Sequence, residues 1–386
     1  MALPLSYNLR NLRVRWQVTL LSVAGIALVV AVFIAVLAMA TGFRTTLRAT
    51  GRTDNAIVTQ KGSQSELTSG IPLEQANVIM VDSRVARDAV GPLASPEIVV
   101  VTNLPRRADG QPTSVLTRGV TARAFDVRGG IRLTEGRRFT SGLREIIVGR
   151  GIQTRVRGLV LGAKVKMQGQ VWDVVGVFAA DGSGFESEIW GDLDVLSGAF
   201  KRSGYYETVV VRLADPATRA AFAEELDKNP QLKVDLKQER RYYDEQSGSV
   251  VAALIGLTAF VSLVMGVGAV FAAMNTMYGI VAGRSREIGT LRALGFSRIG
   301  ILFSFMVESL LLALVGGVLG CLVALPAHGM TGATVSNFSE IAFAFRITPT
   351  MMAGAIVFAL LMGFWGGVLP ALRAARLPIT TALREA

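Results

Sequence analysis

The sequence predicts a membrane α-helical protein with four transmembrane helices and a large α+β extracytoplasmic domain between spans one and two. Three observations carry this reading. The first is length: a helix needs about 20 consecutive apolar residues to cross a bilayer core. Residues 18–39, 247–283 and 347–372 hold no charge, and residues 299–327 hold only Glu308. The second is patterning. An amphipathic helix of a soluble core keeps a polar face, and these stretches have none. The third is the distribution of arginine, which gathers in the short segments flanking the spans. A composition of 51% hydrophobic residues over 386 residues would also suit a large soluble protein; the clustering decides between the two.

Residues 1–16 are expected to form a cytoplasmic interfacial helix. Leu5, Leu9, Leu12 and Trp16 recur along one stripe, with Arg10, Arg13 and Arg15 beside it, which suits a helix lying in the bilayer interface. Residues 17–40 form the first span. Ala38-Met39-Ala40 resembles a signal cleavage site, but a signal peptide's apolar region is only about 7–15 residues long. The longer run here reads as an uncleaved anchor. Ala27, Ala31 and Ala35 place small residues on one face of this span.

Residues 41–246 read as the inserted domain, and about 200 residues suffice for a self-supporting core. Residues 97–104, 114–121, 145–149, 164–168, 171–178 and 207–213 are short runs rich in β-branched residues, several bounded by turn formers. Gly169-Gln170 is expected to turn a tight hairpin. Residues 216–229 predict a helix opened by Pro216, residues 232–236 a strand, and residues 103–128 a small separate subdomain.

Residues 247–283, 299–326 and 348–370 are the second, third and fourth spans. Gly316/Gly320 and Gly363/Gly367 are small-xxx-small pairs, which let helix backbones approach closely in lipid. Residues 284–298 join spans two and three, residues 327–347 form an extracytoplasmic loop, and residues 371–386 form the tail. The leader, the 284–298 segment and the tail carry most of the net charge of +11. Because Lys and Arg collect on the cytoplasmic side, both termini are expected inside. The basic excess is then a topology signal. Nucleic-acid binding would need basic residues interleaved with aromatics on one soluble face, and no such face is present.

The segment from Arg284 to Gly295 predicts a short cytoplasmic helix. Glu287 sits near its positive end, Arg292 near its negative end, and Gly295 is placed to stop it. Ile288, Leu291 and Leu294 make an apolar ridge, with Arg284, Arg286, Glu287 and Arg292 as orienting charges. One reading is a connector resting on lipid; the other is a helix docked in a partner's groove. Glu308, an ionisable group inside a span, invites a functional reading, and a structural partner for it is the favoured alternative. His328 near the outer end of span three reads as solvated.

The pattern Arg284-x-Arg286-Glu287-Ile288-Gly289-x-Leu291-Arg292-Ala293-x-Gly295, with Asn275 before and Glu308 and Gly316 after, resembles the coupling loop of MacB/FtsX-type ABC transporter permease subunits. This group (type VII ABC) includes the lipoprotein-releasing permeases. Gly136-Arg137-Arg138-Phe139, residues 145–149, Leu161-Gly162, residues 171–178 and the closing run 370–377 resemble further parts of that family. The resemblance implies a permease working with two copies of a cytoplasmic ABC ATPase and a second copy of itself or a related permease. It also implies an extracytoplasmic adaptor or other protein partner, and cargo such as a lipoprotein, lipid or drug-like molecule. The alternative is a relay that activates an outside partner, such as a cell-wall hydrolase, without moving cargo. The chain has no G-x-x-x-x-G-K-[ST] phosphate loop, so ATP and Mg are expected on a separate ATPase chain, with no cofactor here. With one Cys and one His, neither a Cys/His metal cluster nor a Ser–His or Cys–His catalytic pair is readily built. No catalytic or metal-binding residue is therefore assigned.

Overall fold

The computed structural model describes residues 16–336 and 339–378. Residues 1–15 of the expected interfacial helix (residues 1–16) lie outside the described residues, as does the end of the tail. The chain divides into two compact units. One comprises Met1–Thr41, Ala252–Met330 and Phe345–Ala386; the other comprises Gly42–Val251 and Thr331–Ala344.

The first unit is helical. Among the described residues, four helices are long and apolar enough to cross a membrane: Thr19–Thr50, Glu239–Ala282, Arg298–Ala327 and Pro349–Arg376. The first and second run past the expected span limits into the α+β domain, because polar helix formers (Arg44 and Arg48; Glu239 to Gln246) continue the helical pattern beyond the apolar stretch.

Glycine sets the packing of this bundle. A Cβ on Gly316 would lie 2.9 Å from Ile26, and one on Gly320 would lie 2.6 Å from Val30. Gly363 abuts Ala313 in the same way, and a Cβ on Gly367 would lie 2.6 Å from Ser309. Span three thus receives span one in one glycine pair, and span four receives span three in the other. Ser22 donates to Thr276 at 2.7 Å, tying spans one and two with an interhelical hydrogen bond. The buried face of span one is Val23, Ile26, Ala27, Val30, Ile34 and Ala38. Of the expected alanine face, Ala27 is buried within this bundle, and Ala31 and Ala35 are half-buried. The large residues of span one fill hollows that the glycines of span three leave, so small residues are needed on only one side.

The second unit is an α+β domain built on one ten-stranded sheet. Its strands run in the order Val234–Gln238, Asn55–Gln60, Thr208–Arg212, Ala94–Pro105, Pro112–Val120, Glu188–Asp192, Glu145–Gly149, Gln170–Ala179 and Arg132–Gly136. Lys164–Met167 pairs at the side with Gln170–Ala179. Apolar clusters pack on the sheet, among them one around Ile147, Phe178 and Trp190 and two others. One gathers Val115, Ile146, Val148, Trp172 and Val174; the other gathers Ile71, Ile79, Val209, Val211 and Phe222. Residues 103–128 are no separate subdomain. Ala94–Pro105 and Pro112–Val120 pair from Glu97 opposite Val120 to Pro105 opposite Pro112 in the centre of the sheet, where both strands are buried over much of their length. The hairpin turn falls one residue earlier than expected, on Gln168 (φ 49°) and Gly169 (φ 75°). Positive φ at both central residues matches the right-handed twist of the flanking strands.

Gly136 has φ 72° and lies hard against the Val175 carbonyl, so no side chain fits there. The following Arg137 grips Glu145 through two hydrogen bonds of 2.5 and 2.7 Å and holds its carboxyl down at about 2. Glu207 has the opposite fate. It is fully buried, one oxygen lacks a hydrogen-bond partner, and Arg202 stands 3.5 Å away. Burial pushes its carboxyl up to about 7 from 4.5. Between those two values the unfolded chain releases this proton before the folded one does. Stability therefore falls as pH rises through that window, by at most about 1.4 kcal/mol per pH unit from this group. Glu207→Gln should flatten the fall, which thermal unfolding of the full chain across pH 4–8 would detect; an unchanged slope would refute the assignment.

Candidate coupling site

The residues singled out between spans two and three form a bracket. The connector helix is Ser285–Ala293, with Arg284 at its N-cap and Leu294 at its C-cap. Gly295, at φ 93°, ends it in a conformation other residues rarely adopt. Arg284 is 7% exposed. Its guanidinium donates to Glu308 at 3.0 Å and to Glu287 at 3.1 Å, and lies 5.1 Å over the Phe305 ring. Glu308 itself is 2% exposed. An ionised carboxylate buried without a partner would cost several kcal/mol, and the arginine that begins the connector supplies that partner. At the other end, Arg292 donates at 3.0 Å to the carbonyl of Ala375, in the last turn of span four. Terminal carbonyls of a helix have no partner within it, so this contact satisfies one and fixes the connector's far end.

Ile288 is 2% exposed and packs with Met277, Ile280, Val281, Ile301 and Phe305. This corrects the expected ridge. Ile288 faces the chain's own bundle, packed among those five apolar side chains. Leu291 is half-buried, while Leu294 is 73% exposed. Of the expected orienting charges, Arg284 and Arg292 both turn inward and serve as anchors within the chain. The face left outward is Arg286, Glu287, Thr290, Ala293 and Leu294, whose spacing of one, three, three and one follows a single side of a helix. Arg286 and Glu287 charge its start, and Leu294 supplies a large apolar end.

A second constellation escaped the sequence reading. In the domain's interior, Arg118 donates to Glu188 through two bonds of 2.8 Å, to Glu97 at 2.8 Å and to Glu66 at 2.9 Å. Arg128 holds Glu97 at 2.6 Å and reaches Glu239 at 2.6 Å. Both guanidinium groups lie over Phe185, at 5.6 and 4.6 Å. Burial alone would lower the arginines and raise Glu97. The opposed charges win, keeping both arginines well above and Glu97 below their ordinary values. Glu239, the first residue of the second long helix, also accepts from Asn55 at 2.9 Å and from the Arg52 amide at 3.0 Å. Five residues further on, Asp244 receives Arg48 at 2.7 Å and Arg44 at 3.3 Å. The root of that helix is thereby pinned both to the sheet and to the end of the first long helix. A charge inside an apolar strand run, as Arg118 is between Val115 and Val120, is the signal that would have pointed here.

Breaking one side of a buried ion pair strands the other charge, at a cost of roughly 3–5 kcal/mol. Arg284→Leu and Glu308→Leu should each destabilise the helical unit by that order. The double replacement should recover a large part of the loss, because no charge is then left buried. Thermal unfolding in detergent reads this cycle, and additive losses would contradict the pairing.

Known proteins resemble this chain along its length. Residues 19–229 match the MacB-like periplasmic core domain, and residues 259–379 match the FtsX-like permease C-terminal region. An ABC transporter permease of Bacillus subtilis (strain 168), YvrN, described as uncharacterized, is 27% identical over 95% of both chains. A macrolide export ATP-binding/permease protein MacB of Rhodopseudomonas palustris (strain HaA2) is 28% identical over 82% of this chain and 51% of its own length. The MacB of Bordetella avium (strain 197N) is 37% identical over 36% of this chain and 21% of its own. This chain thus spans about half or less of those two MacB proteins. The solved periplasmic region of MacB from Actinobacillus actinomycetemcomitans aligns over 54% of this chain and 95% of its own, at 14% identity and a TM-score of 0.38. The extracellular domain of the transporter YknZ aligns over 47% and 99%, at 21% identity and a TM-score of 0.36. The order of the parts, one span, a MacB-like domain, then three spans with a bracketed connector, agrees with the two family models, and the chain belongs to the ABC transporter permeases of MacB/FtsX type.

Proposed function

We propose that this chain is the non-catalytic permease subunit of an ABC transporter, and that a separate ATPase chain grips it at the connector helix Ser285–Ala293. The observation that carries the proposal is the division of that helix into two faces. Arg284, Ile288 and Arg292 are committed to the chain's own bundle, whereas Arg286, Glu287, Thr290, Ala293 and Leu294 face outward. A helix fastened at both ends cannot swivel independently, so a push on its outer face is delivered to spans three and four. Two copies of the ATPase, each binding ATP and Mg, would act on two permeases, this chain paired with itself or a relative.

The arginine-rich segments support a topology with both termini and the connector in the cytoplasm and the α+β domain outside the inner membrane. Two helices, Trp16–Thr50 and Glu239–Ala282, run unbroken from the spans into the domain, giving covalent routes for motion. ATP drives the system only if the ATPase binds one permease arrangement better than the other. The cargo class proposed is hydrophobic or amphiphilic, with an extracytoplasmic protein as a further partner.

The test is co-purification of the full chain with ABC ATPase subunits from its native membrane. Arg286→Glu combined with Leu294→Asp should cut recovery of the ATPase at least tenfold while the chain's unfolding temperature stays unchanged. Ile288→Ala should instead lower the unfolding temperature and leave recovery per folded molecule intact. ATPase recovery that survives the outward-face changes would overturn the assignment of the grip.

A further inference from the structure

The sheet of the α+β domain has a gap in its ladder of hydrogen bonds. Strand Ala94–Pro105 pairs on one edge with Pro112–Val120 from Glu97 to Pro105. Its other edge is covered by Thr208–Arg212 only from Ala94 to Glu97. Beyond that point, four bonds fix which way the backbone faces. The Glu207 amide donates to the Glu97 carbonyl at 3.0 Å, and the Val99 amide donates to the Glu207 carboxylate at 3.3 Å. The Arg157 amide donates to the Pro105 carbonyl at 2.9 Å, while the Arg106 amide donates to the Gln111 carbonyl at 2.8 Å. Residues 97, 99 and 105 therefore face away from Pro112–Val120, and residue 106 faces the side of its own hairpin. In an antiparallel pair these directions alternate, and the register runs without a shift from Glu97 to Pro105. Val101 and Asn103 thus turn their amides and carbonyls to the open edge, where no strand among the described residues pairs with them.

This edge opens into a groove of about 410 Å³ lined by Val101, Leu67, Thr68, Gln168, Phe200 and Arg202. Leu67 also lines a recess with Val99, whereas Phe200 packs against Ile98 and Leu104. Neighbouring residues of a strand point to opposite faces, so the groove has a wall on each face of the sheet. Exposed edges are ordinarily blunted by charge or proline. The outermost strands of this sheet follow that rule, with Asp235 and Lys237 on one and Arg132 and Glu135 on the other. The run Val99-Val100-Val101-Thr102 carries neither.

We propose that the gap at residues 99–103 is a strand-addition site, where an extended segment of a separate extracytoplasmic protein pairs with Val101 and Asn103 and completes the ladder. About five extended residues, spanning roughly 17 Å, fill it. The occupant is a peptide because only an extended backbone offers donors and acceptors at the repeat of a strand. A second copy of this chain is a poor occupant. Its own gap is stopped by Glu207 at one end and by Arg157 at the other and is walled on both faces, so a single free strand fits where a sheet does not. Leu67 and Phe200 favour short apolar side chains on that strand. The inference gives a binding mode to the extracytoplasmic partner of the proposed function. It involves no ATPase, so it can fail without the connector assignment failing.

The experiment pans the full chain in lipid nanodiscs, without ATPase, against phage-displayed random peptides about ten residues long, and the enriched peptides are then synthesised. Binding should weaken at least tenfold in Val101→Pro, which removes an amide that faces only the open edge. Asn103→Pro removes the other outward amide and serves as a second block should Val101→Pro lower the unfolding temperature. N-methylating the peptide at alternate amides should weaken binding as much, and methylating the intervening amides should not. In the free chain the Val101 and Asn103 amides should exchange hydrogen at least tenfold faster than those of Val100 and Thr102, and bound peptide should erase the difference. No enrichment over empty nanodiscs, or peptides that bind both proline variants as tightly as the unaltered chain, would overturn the site. Equal protection of all four amides in the free chain would overturn it as well, because the edge would then already be covered.

Discussion

The helical unit depends on one buried ion pair, Arg284 with Glu308. A carboxylate placed among Phe305, Leu312 and the glycine-lined contacts of span three has no water to solvate it. The requirement that it be met by a positive donor fixes where the chain must return after span two. The connector's first residue supplies that donor, its Ile288 fills the apolar space alongside, and its Arg292 closes on span four. Three contacts of different kinds therefore converge on one short helix. Charge sets its start, packing sets its rotation, and a helix-end carbonyl sets its far end. Once those are satisfied, the opposite face is left over, and that remainder is what a partner can touch.

The α+β domain obeys the same logic with more charges. A network of two arginines and four carboxylates lies inside it, arranged so that each arginine serves at least two acids. Replacing such networks with apolar side chains is often neutral or stabilising, and their best-supported use is to specify one arrangement over its competitors. Here they select the position of Glu239 and hence the exit of the second long helix from the sheet. Apolar packing alone would let that helix slide along the sheet; a carboxylate that must meet Arg128, Asn55 and the Arg52 amide together allows one register.

Much of this was legible in the sequence, for reasons that can be named. The spans follow from uninterrupted apolar length, and Ala94–Pro105, Pro112–Val120 and Gln170–Ala179 follow from β-branched runs. Gly295 announces the end of the connector, and Glu308 announces a buried partner. What stayed hidden depends on three-dimensional context. The ridge Ile288, Leu291 and Leu294 has helical spacing, but spacing does not say whether an apolar face meets the chain's own bundle or another protein. The alanines of span one read as a packing face because they are small, and within this bundle Ala27 shares the contact with larger residues, Ile26 and Val30, that meet glycines on span three. Arg118 and Glu188 are far apart in sequence and meet only because their strands are neighbours. Asn55–Gln60 and Glu188–Asp192 were missed as strands because both are buried across their width and lack alternation.

The central claim is that the connector presents one face to the bundle and the other to a motor protein. Single cysteines placed in turn along residues 285–294 and labelled from the cytoplasmic side, with and without bound ATPase, test it directly. Protection on binding should appear at 286, 290 and 294, skip 288, and leave the labelling of the α+β domain unaltered. Uniform protection along the helix, or labelling of these positions only from the opposite side of the membrane, would contradict the account.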